Sequence, residues 1–448
     1  MLSVDQARGA AEALVERAMA ASADAADAIY AGNRSSSVQV RLGELEQVDR
    51  SEGEEIGLRL FLGRRSATVA SSDLAAEALA ALVERALAMA AEAPEDEYAG
   101  LAPDDVLHRG ELPLLDADDG QEPEPAALRA RALAAERAAL AISGVTNSSG
   151  GSSSASASSV ALATSAGFSG AYRATGYSCS AAVIAGEGAG MQRDHAWHSA
   201  RHLEDLDSAE DIGRLAGTRA AARLNSTRPK PGRMAVLFDP RVASTLLGHF
   251  TAAISGSSVA RKASFLQDRL GSRVFAPGVT ILDDPLRLRG LRSRPFDGEG
   301  VRVGRVELVS DGVLASWIAE SASARQLGIA PTGHAARGAG GAPGASPSNL
   351  YLAAGRRTRE ELLAAFPQAL LVTELIGQGV NGVTGDYSRG AAGFMVRGGI
   401  IAEPVAEITI ASNLVDMFAT LEPGSDLELR RGIDAPTLLV PEMTVGAA

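Results

Sequence analysis

Cysteine is almost missing from this chain. Cys179 stands alone among 448 residues, so no disulfide can form within it, and a reducing cytoplasm is the compartment that suits it. Its flanks, Tyr177-Ser178 and Ser180-Ala181-Ala182-Val183, read as a strand, which makes Cys179 a buried, inert thiol. Aromatic residues are also scarce, at 4%, which leaves the core to Ala, Leu, Val and Ile. No apolar run reaches the roughly 18 residues that span a bilayer. Residues 1–6 show no basic region ahead of an apolar core, so neither a membrane span nor a signal peptide is expected. Positive charge is in deficit: the formal net charge is −13, with Lys and Arg interspersed among acids. Nucleic acid, which selects for a basic face, is not an expected partner.

Several catalytic signatures are absent too. There is no Gly-x-Ser-x-Gly and no Ser-x-x-Lys, and the run Ser255-Gly256-Ser257-Ser258 has only His249 nearby as a base. A zinc peptidase helix needs two His about one turn apart with a Glu beside the first. Neither His-Glu-x-x-His nor His-Glu-x-x-x-His occurs anywhere in the chain.

What remains is an ordinary globular composition, 46% hydrophobic and 22% charged, long enough for two or three domains. Residues 4–21 place Ala7, Ala11, Leu14, Val15 and Ala18 at helical spacing, and Val38-x-Val40-x-Leu42 and Ile56-x-Leu58-x-Leu60 alternate as half-buried strands. Ser71-Ser72-Asp73 is read as the cap of a helix through about Ala90. A helix ends near Ile142, and residues 144–159 are read as a hairpin of small-residue strands turning at 147–151. A strand at 178–184 extends that sheet, and a helix at 209–224 closes the region. Arg228-Pro229-Lys230-Pro231-Gly232 marks the expected boundary between an N-terminal α+β domain (1–228) and a β-rich C-terminal domain (232–448). That second part opens with a strand at 235–238 and a helix from Pro240. It continues as short strands, with a Thr358-x-x-Glu361 capping box and a Gly/Ala/Pro-rich, mobile segment at 333–347.

Two constellations invite chemical readings. His195, His198 and His202 would place the last two at i,i+4 on a helix, a metal-ligand spacing. The same segment also alternates like a strand, and solvated surface histidines are the plainer reading. The second is Gly377-Gln378-Gly379-Val380-Asn381-Gly382-Val383-Thr384-Gly385-Asp386-Tyr387-Ser388-Arg389-Gly390. Its glycines match a dinucleotide fingerprint as a string, but turn and strand chemistry follows where that fingerprint needs a helix. No cofactor is expected in this chain.

This glycine-rich stretch resembles the C-terminal signature of the TldD/TldE (PmbA) metallopeptidase family. Leu246-Leu247-Gly248-His249 followed by Ala253-Ile254-Ser255-Gly256 resembles the family's TldE/PmbA-type subunits. So do Arg261-Lys262-x-Ser264-Phe265-Leu266, Pro295-Phe296-Asp297-x-Glu299-Gly300, Ser323-Ala324-Arg325-x-Leu327-Gly328, Thr332-Gly333-His334-Ala335 and Pro404-Val405-x-Glu407. In the TldD-type subunits the zinc motif His-Glu-x-x-x-His occupies this place. The ligand positions fall here on Gly248 and Ala253 and the Glu position on His249, so zinc is expected in a partner subunit and not here.

The resemblance implies a fold of the PmbA/TldD type, and a non-catalytic subunit that pairs with a TldD-like zinc peptidase. The heterodimer would degrade unfolded peptides and trim modified peptide precursors, and a homodimer in isolation is compatible with it. Gly377, Gly379, Asn381, Gly382, Thr384, Gly385, Asp386, Tyr387 and Arg389 are the expected groove or partner contacts, with an extended peptide adding to a strand edge there. Tight turns in a β-sheet core account for the same glycines equally well. A homodimeric peptide-binding scaffold, and a specialised heterodimer acting on small peptide conjugates, are the alternatives.

Overall fold

In the computed structural model, which describes residues 1–447, the first amphipathic stretch forms α1 (Val4–Ala20). Ser3 and Gln6 close a capping box at its start, and Ala7, Ala11, Leu14, Val15 and Ala18 are its buried stripe. β1 (Ala25–Arg41) and β2 (Glu44–Leu62) follow as a hairpin turning at Leu42 and Gly43, both at positive φ. After β3 (Arg65–Ser71), α2 (Ala76–Glu92) and α3 (Pro125–Leu140) come β4 (Val145–Thr164), β5 (Ser169–Ala185) and β6 (Gln192–Ala200), then α4 (Ala209–Ala222). The six strands make one antiparallel sheet in the order β3-β2-β1-β4-β5-β6. Strand alternation parts β1 between its two faces. Ala26, Ala28 and Tyr30 pack with α1 and α2, while Ile29 packs with Leu107, Phe296 and Val301 from loops. Cys179 is fully buried among Ala181, Val183 and α4, and burial pushes its thiol up to about 11.

Two local expectations change. α2 starts at Ala76 with no side-chain cap. Ser71 Oγ accepts from the Asp73 amide and Asp73 Oδ1 from the Ala75 amide, so the Ser/Asp turn satisfies its own backbone ahead of the helix. The turn expected at 147–151 is not a turn either: β4 runs straight through it, and the chain reverses after Thr164. Residues 145–150 hold two irregularities in the pairing with β5. The small residues serve close packing instead, since a Cβ on Gly151 would stand 2.4 Å from the Ala132 carbonyl of α3.

The second half opens with β7 (Gly232–Phe238), α5 (Pro240–Ala253) and α6 (Gly256–Ala260). Short pieces follow: β8 (Ile281–Asp283), β9 (Val306–Ser310), β10 (Val313–Leu314), α7 (Ser321–Leu327), β11 (Ala335–Ala336), β12 (Gly344–Ala345), β13 (Leu350–Leu352) and α8 (Arg359–Leu363). The Thr358–Glu361 capping box starts α8. The chain ends with β14 (Gln368–Ile376), β15 (Asp386–Arg397), β16 (Ile400–Asn413), α9 (Leu414–Thr420), β17 (Glu422–Pro423), β18 (Ile433–Asp434) and β19 (Leu438–Ala447). The order β16-β15-β14-β7-β19-β17, with β16 also paired to β19, closes five strands into a small barrel. Alternate residues of β7 and β14 again divide. Val236, Phe238, Leu370 and Val372 pack with α5, and Ala235, Leu237, Ala369 and Leu371 pack with α8. The fold is mixed α+β with a β-rich C-terminal part.

A buried ionic cluster ties the first sheet to loops of the second half. Arg59 of β2 donates to Asp27 of β1 (Nε 2.9 Å, Nη2 2.5 Å) and to Glu299 (3.3 Å). Arg337, from the segment between β11 and β12, donates to the other Asp27 oxygen at 2.5 Å. The segment 333–347, expected to be mobile, is therefore pinned. Its Ala339 carbonyl lies so close to β2 that a Cβ on Gly57 would stand 1.9 Å from it.

Candidate functional site

The segment expected from the resemblance to align with the zinc motif forms α5. Asp239 caps it, accepting from the Arg241 amide, and Pro240 occupies the first turn, where a missing N–H costs nothing. Val242, Leu246, Leu247 and Phe250 bury one face. Gly248 lies on the exposed side, where an added Cβ would meet nothing within 4 Å, whereas Ala253 is buried in the last turn. The two positions therefore face different surroundings. A hydrogen and a methyl group offer no electron pair to a metal ion, so these residues do not fit zinc. Among the described residues, no group of three or more His, Cys, Asp or Glu is placed to hold a metal ion.

His249 is half-buried and edge-on to Tyr387, with ring centroids 6.1 Å apart. Its Nε2 is buried without a hydrogen-bond partner, and so is the Tyr387 hydroxyl. Burial first, and the Arg389 charge second, lower the His249 pKa and keep the imidazole neutral near pH 7. Burial raises the Tyr387 phenol, with Arg389 acting the other way. Tyr387 and Arg389 are both buried because β15 alternates, sending Asp386 and Ser388 outward. His249, Ala252, Ala253, Ser258, Phe265 and Gly382 line a cleft of about 270 Å³ between α5 and the glycine-rich loop.

The cleft walls are held by named bonds. Ser264 Oγ donates to the Ala253 carbonyl (2.6 Å) and accepts from the Leu266 amide, and the Phe265 amide donates to the Gly382 carbonyl (3.0 Å). The glycine-rich loop largely satisfies itself. Asn381 Oδ1 accepts from the Val383 and Thr384 amides, and Thr384 Oγ1 donates to Asp386 (2.6 Å). Asn413 Nδ2 bridges the Thr384 carbonyl and Asp386. Hydrogen bonds from Thr384 and then Asn413 hold the Asp386 carboxyl below its usual range. Gly377 and Gly385 take positive φ, and a Cβ on Gly379 would stand 2.0 Å from the Ser388 carbonyl.

This geometry brings the expected residues together in two groups. Gly377, Gly379, Asn381, Gly382, Thr384 and Asp386 are exposed on the loop, and Tyr387 and Arg389 lie beneath it beside His249. It also corrects the strand-addition idea. β15 is paired to β16 along its length and to β14 from Gly390 onward, while Gly379 and Val380 cover Ser388 and Tyr387. The stretch is a closed loop on a barrel strand, with no open strand edge among the described residues at that point.

The histidine cluster is elsewhere and is not the surface triad expected. His195 is exposed, but His198 and His202 are largely buried. His198 Nδ1 accepts from the Asp207 amide (3.0 Å), and His202 Nε2 lies 2.9 Å from the Asp116 carbonyl. β6 is a strand, so the i,i+4 helical pairing does not form.

Sequence reasoning did not anticipate the Asp27–Arg59–Arg337–Glu299 cluster, because its members lie far apart in the chain. The motif Pro295-Phe296-Asp297-x-Glu299-Gly300 held one of the cluster's acids, Glu299, in plain view, with no signal for its partner.

Three family descriptions cover most of the chain. PmbA/TldA metallopeptidase domain 1 matches residues 26–90, the central domain matches 118–224 and the C-terminal domain matches 231–447. Metalloprotease PmbA from Escherichia coli O157:H7 is 38% identical over 424 residues, which are 94% of this chain and 92% of that protein. The chain belongs to the PmbA/TldD metallopeptidase family. Another PmbA/TldD relative, the metalloprotease PmbA homolog of Haemophilus influenzae, is 36% identical over 415 residues, 91% of this chain and 89% of its own. The PmbA/TldD fold also appears in TldE from Thermococcus kodakarensis (TM-score 0.87, 18% identity, 97% of this chain and 99% of that one). A Bacteroides thetaiotaomicron protein described as a candidate modulator of DNA gyrase shares it too (TM-score 0.92, 24% identity, all of both chains).

Proposed function

We propose that this chain is the non-catalytic, TldE/PmbA-type subunit of a cytoplasmic TldD/TldE heterodimer. The partner supplies zinc and the general base, and this subunit completes the groove that admits unfolded peptides and modified peptide precursors. One observation carries the reading. The helix at the family's zinc motif is intact, capped and packed, yet it presents Gly248 and Ala253 where ligands would stand. His249, at the general-base position, stands edge-on to Tyr387. The glycine-rich loop and the α5 cleft form the wall offered to a peptide.

Reconstitution tests this. The isolated chain is expected to hold no stoichiometric zinc by elemental analysis and to cleave no unfolded peptide. Mixing it with a TldD-like subunit carrying His-Glu-x-x-x-His is expected to give a complex whose peptidase activity EDTA abolishes. Tightly held zinc with hydrolysis by the isolated chain would overturn the reading. Failure of the two chains to associate would favour a homodimeric peptide-binding scaffold.

A further inference from the structure

The outer edge of β2 is covered only in part. β1 pairs with this strand along its whole length, from Ala25↔Phe61 to Arg41↔Glu44, whereas β3 pairs only with Ile56–Leu62. Residues 44–55 therefore present a strand edge with no ladder partner, about 40 Å long at the usual rise per residue. Both faces of this stretch are bare as well, since every residue in it is exposed except the half-buried Glu54. α3 packs on Val38 and Val40 of β1, but Val48 and Leu45, which stand opposite them on β2, stay exposed. Such an edge is a template for another strand, and proteins blunt it with proline, a covering element or charge. Here only charge is used. Glu44, Glu46, Asp49, Glu52, Glu54 and Glu55 share the stretch with a single cation, Arg50. The Met1 ammonium offsets Glu52 and Glu54 (2.7 and 3.7 Å), while Glu44, Asp49 and Glu55 have no ion pair among the described residues. Two copies joined edge to edge would set this acidic strand against itself, and like charges on facing strands repel. A strand carrying Lys or Arg meets opposite charge instead. None of residues 44–55 lines the α5 cleft, so the edge is set apart from the wall assigned to a peptide.

We propose that the open edge of β2, residues 44–55, is where the zinc-bearing partner subunit docks, by adding a Lys- or Arg-rich strand to the six-stranded sheet. Main-chain hydrogen bonds hold the added strand, the acids select its charge, and Leu45 and Val48 give it apolar contact on the face that carries α3. Naming the occupant as that subunit rests on the function proposed above; the openness and charge of the edge do not.

Amide hydrogen exchange of the full chain, alone and with the TldD-like subunit, tests the docking edge. The alternate amides of 44–55 that point away from β1 are expected to exchange at least about tenfold more slowly in the complex. Glu44→Lys combined with Asp49→Lys is expected to raise the Kd of the complex about tenfold or more, and added salt to weaken the parent complex. The same change of net charge on exposed positions of α2, Glu77→Lys with Glu84→Lys, is expected to leave Kd within about twofold. Thermal unfolding shows whether each variant is folded, and Glu44→Gln with Asp49→Asn carries the test, with a smaller loss, if the Lys pair is not. A complex in which those amides still exchange freely, or which the β2 variant weakens no more than the α2 variant, would overturn the docking assignment and leave the subunit reading standing. Protection that grows with the concentration of the isolated chain would give the edge to a second copy and overturn it too. Two chains that do not associate at all would defeat the subunit reading and this assignment with it.

Discussion

Asp297 shows how much a single residue's chemistry depends on its surroundings. Its carboxylate accepts amides from Glu299, Val301 and Ala335, yet burial first, and the neighbouring Glu299 charge second, raise it to about 6. An acid whose folded pKa lies above its unfolded value of about 3.9 contributes stability below pH 4 and loses it as pH rises toward 6. Asp297→Asn removes that dependence. Between pH 4 and 6 the variant is expected to gain on the parent by on the order of 3 kcal/mol, on top of a constant offset from the altered Ala335 bond. Urea unfolding at several pH values reads this out, and a difference independent of pH would refute it. Sequence patterning identified Asp297 and Glu299 only as parts of a motif. Their burial, which sets the chemistry, comes from loops and strands far away in the chain.

At the scale of elements, small residues decide how closely backbones approach. α3 and α4 are expected to be held by Gly213, where a Cβ would stand 2.0 Å from the Ala135 carbonyl. Ala normally stabilises a helix interior relative to Gly by about 0.5–1 kcal/mol. Here the overlap with backbone reverses the sign, and Gly213→Ala is expected to cost about 1–3 kcal/mol. Gly9→Ala in α1, where a Cβ meets nothing within 4 Å, is expected to stabilise the protein instead. Denaturant midpoints of the two variants moving in the same direction would contradict this account.

The same principle explains which elements were legible. α1, the β1–β2 hairpin, α5 and the α8 capping box follow from period and cap chemistry that are local. The turn read at 147–151 failed because Asn, Ser and Gly serve turns and close helix–sheet contacts alike. Only the presence of α3 above Gly151 separates the two uses.

For the whole molecule, the join between the first sheet and the second half's loops rests on charges buried between β1, β2 and the loops carrying Glu299 and Arg337. Asp27 is fully buried; burial works against its ionisation, but Arg337 and Arg59 hold its carboxyl below the usual range. Glu299 is held by Arg59 and by the Ser321 amide and hydroxyl. Removing one partner of such a cluster leaves charge buried and uncompensated, so Arg337→Ala is expected to cost about 3–5 kcal/mol. Calorimetry is expected to show the single cooperative transition broaden or split as the halves uncouple. An unchanged transition temperature would show that the segment 333–347 is not what joins them.

The sequence alone determined the broad class, the family signature and the fact that the side chains at 248 and 253 cannot ligate a metal, because composition, periodicity and side-chain chemistry are properties of single residues and short windows. Tertiary structure decided that the glycine-rich loop is closed, that Arg389 is buried beside His249 and Tyr387, and that a distant loop seals the first sheet. Those outcomes depend on which surfaces meet in space, and residues hundreds of positions apart carry no local mark of the partners that will bury them.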